Sequence, residues 1–407
     1  MKRGQKIQTL IKKEERRQRQ TISLIPSENF VSKEVRSALG SVLSNKYAEG
    51  KSRQRYYFGN RVMDEIEDRT KGLALKVFRV SGKDWSVNVQ PYSGSIANLA
   101  VYLGLLEPGD KILAMSLEHG GHLTHGHKVS WTGKLFSFHH YGVERNGRLD
   151  YKKIAALAKK IKPKLIVCGA TAYSRTLDFK EFGRIAKSVK AILMADMAHI
   201  AGLVAGGIHP SPFKYADVVT TTTHKTLRGP RGAIIFSRKE FSDSIDRAVF
   251  PGLQGGPHLN IIGAIGICLE EAIKPEFKKY ARQIVENSKT LSLELKKRKY
   301  PLVTGGTDNH LCLVDVTPLG LTGKKAGELL EQAGIVVNKN MIPFDARTPF
   351  DPSGIRLGTP SVTTRGMKEK EMKIIARLID ETIRKTKPFP VLAREVQQLA
   401  RKFIYHG

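Results

Sequence analysis

Between residues 86 and 236 the chain repeats one pattern, a short strand-like run followed by a stretch with helical spacing. The runs cover 86–90, 111–115, 135–138, 165–167, 192–195, 218–221 and 233–236, and helix-like stretches at 96–106, 151–160 and 179–189 separate several of them. Runs this short, bounded by turn residues, read as strands. Strands that alternate with helices form a mostly parallel sheet with helices on both faces, an α/β fold. Ligands of such sheets bind beyond the carboxyl ends of the strands. That is where chemistry is to be sought.

Two of these strand ends carry suitable side chains. The run 192–195 leads into Asp196, and the run 218–221 leads through Thr222, Thr223 and His224 to Lys225. Lysine is rarely buried without a partner, but a desolvated amine has a lowered pKa and condenses readily with a carbonyl. A carboxylate at Asp196 suits a cofactor whose ring nitrogen must stay protonated; taken alone it would be read as a helix cap. Ser93-Gly94-Ser95 opens the stretch 96–106, and a small-residue turn at a helix N-terminus offers free N–H groups to a phosphate. A plain cap has the same composition. His119, His122 and His125 fall within nine residues of Leu117. Metal binding is the first alternative for them, yet no carboxylate or cysteine set completes a site, and the glycines around them point to close backbone approach. No metal is expected.

The string Thr220-Thr221-Thr222-Thr223-His224-Lys225-Thr226-Leu227, closed by Gly229-Pro230-Arg231-Gly232, resembles the pyridoxal-phosphate lysine segment of serine hydroxymethyltransferases. Further motifs match in order from about Leu24 to about Thr364. They include Ser27-Glu28-Asn29, Tyr47-Ala48-Glu49-Gly50, the segment 117–126 and Thr171-Ala172-Tyr173-Ser174. Asp196-Met197-Ala198-His199, the Gly255-Gly256 turn and Ser353-Gly354-Ile355-Arg356 complete the series.

The resemblance implies fold type I of the pyridoxal-phosphate enzymes. Its large domain is placed at 46–258, a smaller C-terminal α+β domain at 259–407 and an N-terminal arm at 1–45, the arm helical to about residue 22. It implies reversible conversion of L-serine and a tetrahydropterin, tetrahydrofolate foremost, to glycine and the methylene carrier, through a pyridoxal 5'-phosphate aldimine. Lys225 would hold the cofactor, Asp196 would keep its ring nitrogen protonated and His122 would stack on the ring. Ser93, Gly94, Ser95 and His224 would serve the phosphate, Thr171 the phenolic oxygen, and His199 would support the cofactor. Thr222 would sit near the aldimine, and Arg231 would order the lysine loop. Arg356 and Ser27 would bind the amino-acid substrate. Leu117, Gly121, Leu123 and Asn340 would line the folate site.

A homodimer with shared active sites also follows from the resemblance. Tyr47, Gly255 and Gly256 would reach the partner's cofactor, Glu49 and Tyr57 its substrate, and Glu49, Tyr56 and Tyr57 its folate. Glu49 would move protons during one-carbon transfer. His119 and His125 are read as structural. The chain departs from the family pattern at Tyr92, where a histidine often precedes Ser-Gly-Ser, at Arg228, at Lys51-Ser52-Arg53 and at Phe58.

Composition limits the rest. The 68 Lys and Arg against 38 Asp and Glu give a formal net charge of +30, which attracts polyanions. The basic residues are scattered and accompany no recognition helix, zinc finger or aromatic RNA-binding pattern, so only non-specific nucleic-acid binding is expected. No apolar run approaches the roughly 18 residues of a membrane span, and the N-terminus lacks a secretory apolar core. Three widely spaced cysteines (Cys168, Cys268, Cys312) fit reduced thiols in a cytoplasm. Two rival readings are a pterin-independent threonine aldolase of the same fold and a basic nucleic-acid-binding protein without catalysis. Glu49, Tyr57, Leu117 and Asn340 oppose the first, and intact Lys225, Asp196, His122 and Arg356 the second.

Overall fold

The computed structural model describes residues 6–405. The first five residues of the expected arm and the last two of the expected C-terminal domain lie outside the described residues. Among the described residues the chain divides into two compact units, 31–282 and 6–30 with 283–405.

The larger unit is built on a seven-stranded sheet. From one edge its strands are Trp85–Asn88, Ala233–Arg238, Val218–Thr222, Ile192–Asp196, Leu165–Gly169, Lys111–Met115 and Ser137–Tyr141. Ala233–Arg238 runs antiparallel to both its neighbours, and the remaining pairs are parallel. Every residue of Leu165–Gly169 and Val218–Thr222 is buried, as parallel strands covered on both faces require. The helix Gly94–Leu105 packs Ala97, Val101 and Tyr102 against Ile112, Val167, Met194 and Val218. Asp150 and Asp178 start the helices Tyr151–Ile161 and Phe179–Ser188 by accepting from first-turn N–H groups.

One expected strand is displaced. Residue 135 ends the short helix Trp131–Leu135, and the strand begins only at Ser137. That strand is the sheet's edge, and its two histidines sit where no continuous apolar run is needed.

The helix Leu259–Ile273 packs on Arg61–Phe78 and Lys33–Leu39 inside the larger unit. Gly263 and Gly266 permit this approach, since a Cβ on either would come within 2.8 Å of Leu43 or 2.7 Å of Thr70. The break between units therefore falls at Arg282 and Gln283, within the helix Pro275–Lys297, and not at 258 and 259. Residues up to Phe30 belong with the C-terminal half.

The smaller unit holds a three-stranded antiparallel sheet in the order Leu311–Asp315, Gly354–Gly358, Asn338–Asn340. Ile22–Ser23 pairs in parallel with Ile335–Val336. Leu24, Leu291, Val314, Leu330, Ile355, Ile375 and Val396 share its core. Ile335–Val336 and Asn338–Asn340 are thus two strands serving different partners. Among the described residues no helix is long and apolar enough to cross a membrane.

Candidate active site

Asp196 and Lys225 lie at the ends of adjacent parallel strands, Ile192–Asp196 and Val218–Thr222, with Asp196 opposite Thr220 in the register. Lys225 is only 8% exposed. Its turn is held locally. The Gly229 N–H donates to Thr223 O at 2.7 Å, and Thr223 Oγ1 donates to Pro230 O at 2.6 Å. Thr226 Oγ1 donates to His199 O and accepts from the Gly202 N–H, both at 2.9 Å. This hydroxyl ties the segment after Asp196 to the lysine. Arg228 occupies the same turn with φ +67°, its guanidinium 3.6 Å from Glu271 and 4.8 Å above the Tyr280 ring.

Asp196 is surrounded by donors. Its Oδ2 accepts from Asn98 Nδ2 at 2.9 Å and His125 Nε2 at 3.1 Å, and its Oδ1 accepts from the Ala198 N–H at 3.0 Å. Burial alone would raise its pKa, but the hydrogen bond from His125, the electrostatic influence of the His125 and His122 rings and the bond from Asn98 hold the carboxyl well below the usual carboxylate range. It is an anion at neutral pH. His125 Nδ1 accepts from the His122 N–H at 3.2 Å, so the ring proton sits on Nε2, facing Asp196.

His122 belongs to the same network. Its Nδ1 accepts from the Thr124 N–H at 3.1 Å and lies 2.7 Å from Thr124 Oγ1. Asn98 Nδ2 also donates to that hydroxyl, at 2.9 Å, while Asn98 Oδ1 accepts from Thr220 Oγ1 at 2.8 Å. Thr171 joins from the next strand end, donating through Oγ1 to Gly121 O at 2.8 Å. Gly120 takes φ +108°, and a Cβ on Gly121 would fall 2.1 Å from Met115 O. These glycines keep the histidine segment flat against the sheet. His119 accepts from the Val143 N–H at 2.9 Å and holds the fold. Leu123 is exposed beside this segment.

Three observations fit this strand-end cluster to pyridoxal phosphate. The buried Nδ1 of His224, next to Lys225, has no hydrogen-bond partner. Burial, with Lys225 and Arg231 as cationic neighbours, pulls that imidazole down to about 3. Gly94 brings the N-terminus of the helix Gly94–Leu105 against Thr222, where a Cβ would lie 2.7 Å from Thr222 Cγ2. Ser93 caps this helix, and both Ser93 and Ser95 are exposed at its mouth. Thr222 itself donates to Ala198 O at 3.3 Å. An ionised carboxylate, a helix start opened by two exposed serines and a buried lysine are what a cationic ring, a phosphate and an aldehyde ask for.

A second cluster in the same unit joins residues far apart in sequence. Tyr47 Oη donates to Glu49 Oε1 at 3.1 Å, and the Tyr57 ring meets that of Tyr47 edge-on at 4.8 Å. The Gly255-Gly256 turn lies beneath them, since Cβ atoms there would fall 3.1 Å from Glu49 Oε1 and 3.2 Å from the Tyr47 ring. Tyr56 turns away and packs on Phe250. The Lys51–Arg53 departure forms the tip of a small hairpin, in which Lys51 pairs with Asp243 at 2.8 Å and Arg53 with Asp68 at 3.1 Å.

In the smaller unit Arg356 is buried on the central strand, donating to Asn338 Oδ1 at 3.2 Å. Burial lowers its pKa to about 10. Asn340 ends the neighbouring strand, and its Nδ2 donates to Met341 O at 2.6 Å. The loop of Ser27 crosses the end of the Arg356 strand: the Gly358 N–H donates to Leu24 O at 2.7 Å, and a Cβ on Gly358 would meet Pro26 at 2.5 Å.

Sequence reasoning missed Asn98 and Asn338 and read His125 as merely structural. Asn98 and Asp196 are 98 positions apart, so no local signal joins them. Among the described residues no group of three or more His, Cys, Asp or Glu could hold a metal ion.

A family model described as serine hydroxymethyltransferase matches residues 1–379. The chain is 53% identical over 398 residues to the serine hydroxymethyltransferase of Desulfotalea psychrophila, covering 97% of this chain and 93% of that protein. It is 54% identical over 376 residues to that of Acidothermus cellulolyticus, covering 92% and 87%.

Proposed function

Because this chain belongs to the serine hydroxymethyltransferase family, it interconverts L-serine and glycine with pyridoxal phosphate as cofactor and tetrahydrofolate as one-carbon carrier, and we propose that Lys225, Asp196 and His122 are the centre of its cofactor site. The observation that carries this assignment is the pair of buried strand ends, Lys225 on one and an ionised Asp196 on its neighbour.

Bound pyridoxal phosphate supplies the electron sink for the charge left when the Cα–Cβ bond of serine breaks. The chain's residues prepare that site. Lys225 offers the amine that takes the cofactor's aldehyde. Asp196, kept charged by His125 and Asn98, holds a proton on the ring nitrogen. His122 would cover the ring, and Thr171, Thr222 and His199 would help to hold it in place. Ser93, Gly94, Ser95 and His224 hold the phosphate. In the smaller unit Arg356 would take the substrate carboxylate as a planar fork and Ser27 would serve the same substrate; Leu117, Gly121 and Leu123 in the larger unit, and Asn340 in the smaller, would serve the folate.

Tyr47, Glu49, Tyr56, Tyr57 and the Gly255-Gly256 turn serve the site of a second copy, making the enzyme a homodimer. Exposure supports this: Phe58, next to Tyr57, is 98% exposed, and Tyr47 and Tyr56 are also open to solvent. A cytoplasmic location is supported by three buried cysteines free of disulfides. Nucleic acid binds at most through the general positive charge.

Borohydride reduction of the holoenzyme followed by peptide mapping tests the assignment. The pyridoxyl group is expected on Lys225, and label on any other lysine overturns it.

A further inference from the structure

Tyr92 stands between the two clusters of the larger unit and touches both. It directly precedes Ser93, the cap of the helix whose N-terminus forms the anion cradle. Its hydroxyl donates to Gly256 O at 2.7 Å, and its ring stacks on His258 with centroids 4.2 Å apart and planes only 3° from parallel. The same turn grips its backbone, because the Tyr92 N–H donates to Gln254 Oε1 at 3.0 Å and Gln254 Nε2 donates to Gln90 O at 2.9 Å. Residues 90–92 and 254–258 are thus joined by three hydrogen bonds and a ring stack, two of the bonds made by Gln254.

We infer that Tyr92 is a positioning residue that sets two half-sites at once: the Ser93–Ser95 cradle of its own chain and the Gly255-Gly256 turn offered to the partner. The inference rests on the reading above, in which that turn serves the neighbouring subunit. Its physical basis is rigidity. The cradle is the start of a helix packed into the sheet, whereas the turn lies at the surface under exposed tyrosines. The Tyr92 hydroxyl is the only bond described that ties the Gly256 carbonyl to the residue next to the cradle. A phosphate bound by one chain's cradle and the other chain's turn would then report on two copies of Tyr92. No residue of the chemistry need be altered to disturb it.

Hybrid dimers separate the two roles. One chain carries Lys225→Ala, leaving a single lysine-bearing site, and cofactor-free hybrids are titrated with pyridoxal phosphate, reading the fraction fixed by borohydride. Tyr92→Phe on the Lys225→Ala chain disturbs only the turn offered to that site; on the other chain it disturbs only the site's own cradle. Loss of one hydrogen bond is expected to weaken binding about two- to tenfold in each hybrid. Tyr92→His, which keeps a ring for the stack and a donor for the carbonyl, is expected to recover part of the loss in both, and it replaces Tyr92→Phe as the deciding variant if that protein fails to fold. Unchanged affinity in either hybrid overturns the inference while leaving Lys225 in place. Label fixed in Lys225→Ala homodimers overturns the Lys225 reading and this inference together.

Discussion

His125 Nε2 lies 3.1 Å from Asp196 Oδ2, while His125 Nδ1 accepts a backbone N–H from His122. The first bond orients a buried carboxylate, and the second fixes which ring nitrogen holds the proton. A histidine that could have been packing thereby helps to set the charge of a buried strand-end carboxylate. His122 enters the same network through its own backbone, so the residue proposed to cover the ring and the carboxylate proposed to keep its nitrogen protonated are set by one side chain.

Replacing His125 with alanine should therefore act on chemistry as well as stability. A buried carboxylate that loses a donor is destabilised by about 1–3 kcal/mol, and the Asp196 pKa should rise. kcat/KM is expected to fall about tenfold or more, the equivalent of ~1.4 kcal/mol. His125→Asn, which retains a donor, should recover part of it. Equal melting points with unchanged kcat/KM would show that Asn98 and Ala198 suffice.

The role proposed for Glu49 separates the two halves of the reaction. A carboxyl group between substrate hydroxyl and pterin moves protons, work typically worth about 10²–10⁴ in rate. Glu49→Gln keeps the size and cannot ionise. Pterin-dependent serine turnover should drop by that order, while pterin-independent cleavage of allo-threonine largely persists. The ratio of the two rates is the quantity to compare with the parent; a parallel fall in both would assign Glu49 to binding or folding.

Shared sites predict complementation. Lys225→Ala chains and Tyr57→Ala chains are each expected to be inactive as homodimers. Mixed under exchanging conditions they should regain activity, because one site in the heterodimer has both an intact lysine and an intact tyrosine. Well-mixed heterodimers that stay dead would remove the shared site.

Acid should destabilise the cofactor-free protein through His224. Its folded pKa, about 3, lies below the ordinary 6.5, chiefly because burial penalises the cation. Between those values the unfolded chain binds more protons, so the contribution is fully present above about pH 6.5 and is lost as pH falls toward 3. Melting temperatures of the parent should decline with acid more steeply than those of His224→Asn. Equal slopes would mean that His224 is not held neutral in the fold.

Much of this protein is written locally. The strands Lys111–Met115, Ile192–Asp196 and Val218–Thr222 coincide with apolar runs to within a residue, because a strand buried on both faces leaves no choice of residue type. Lys225 and Asp196 were legible as strand-end groups, and the resemblance of their flanking motifs named the chemistry. The Ser137–Tyr141 edge strand was less legible, since one open side relaxes the pattern.

Long-range packing decided the rest. Nothing near Asn98 announces that it will meet Asp196 and Thr220, and nothing near Tyr92 announces that its hydroxyl will close on Gly256. The Leu259–Ile273 helix joins the larger unit because two glycines let it approach its neighbours, and residues before Phe30 join the smaller because Ile22 and Leu24 fill its core. Sequence alone determined which side chains were present and which strand ends would present them, because periodicity and turn chemistry act over a few residues. Which of those side chains share a proton or a carbonyl depends on contacts between segments far apart in the chain, 164 positions in the case of Tyr92 and Gly256, and only the packed tertiary structure brings them within hydrogen-bonding distance.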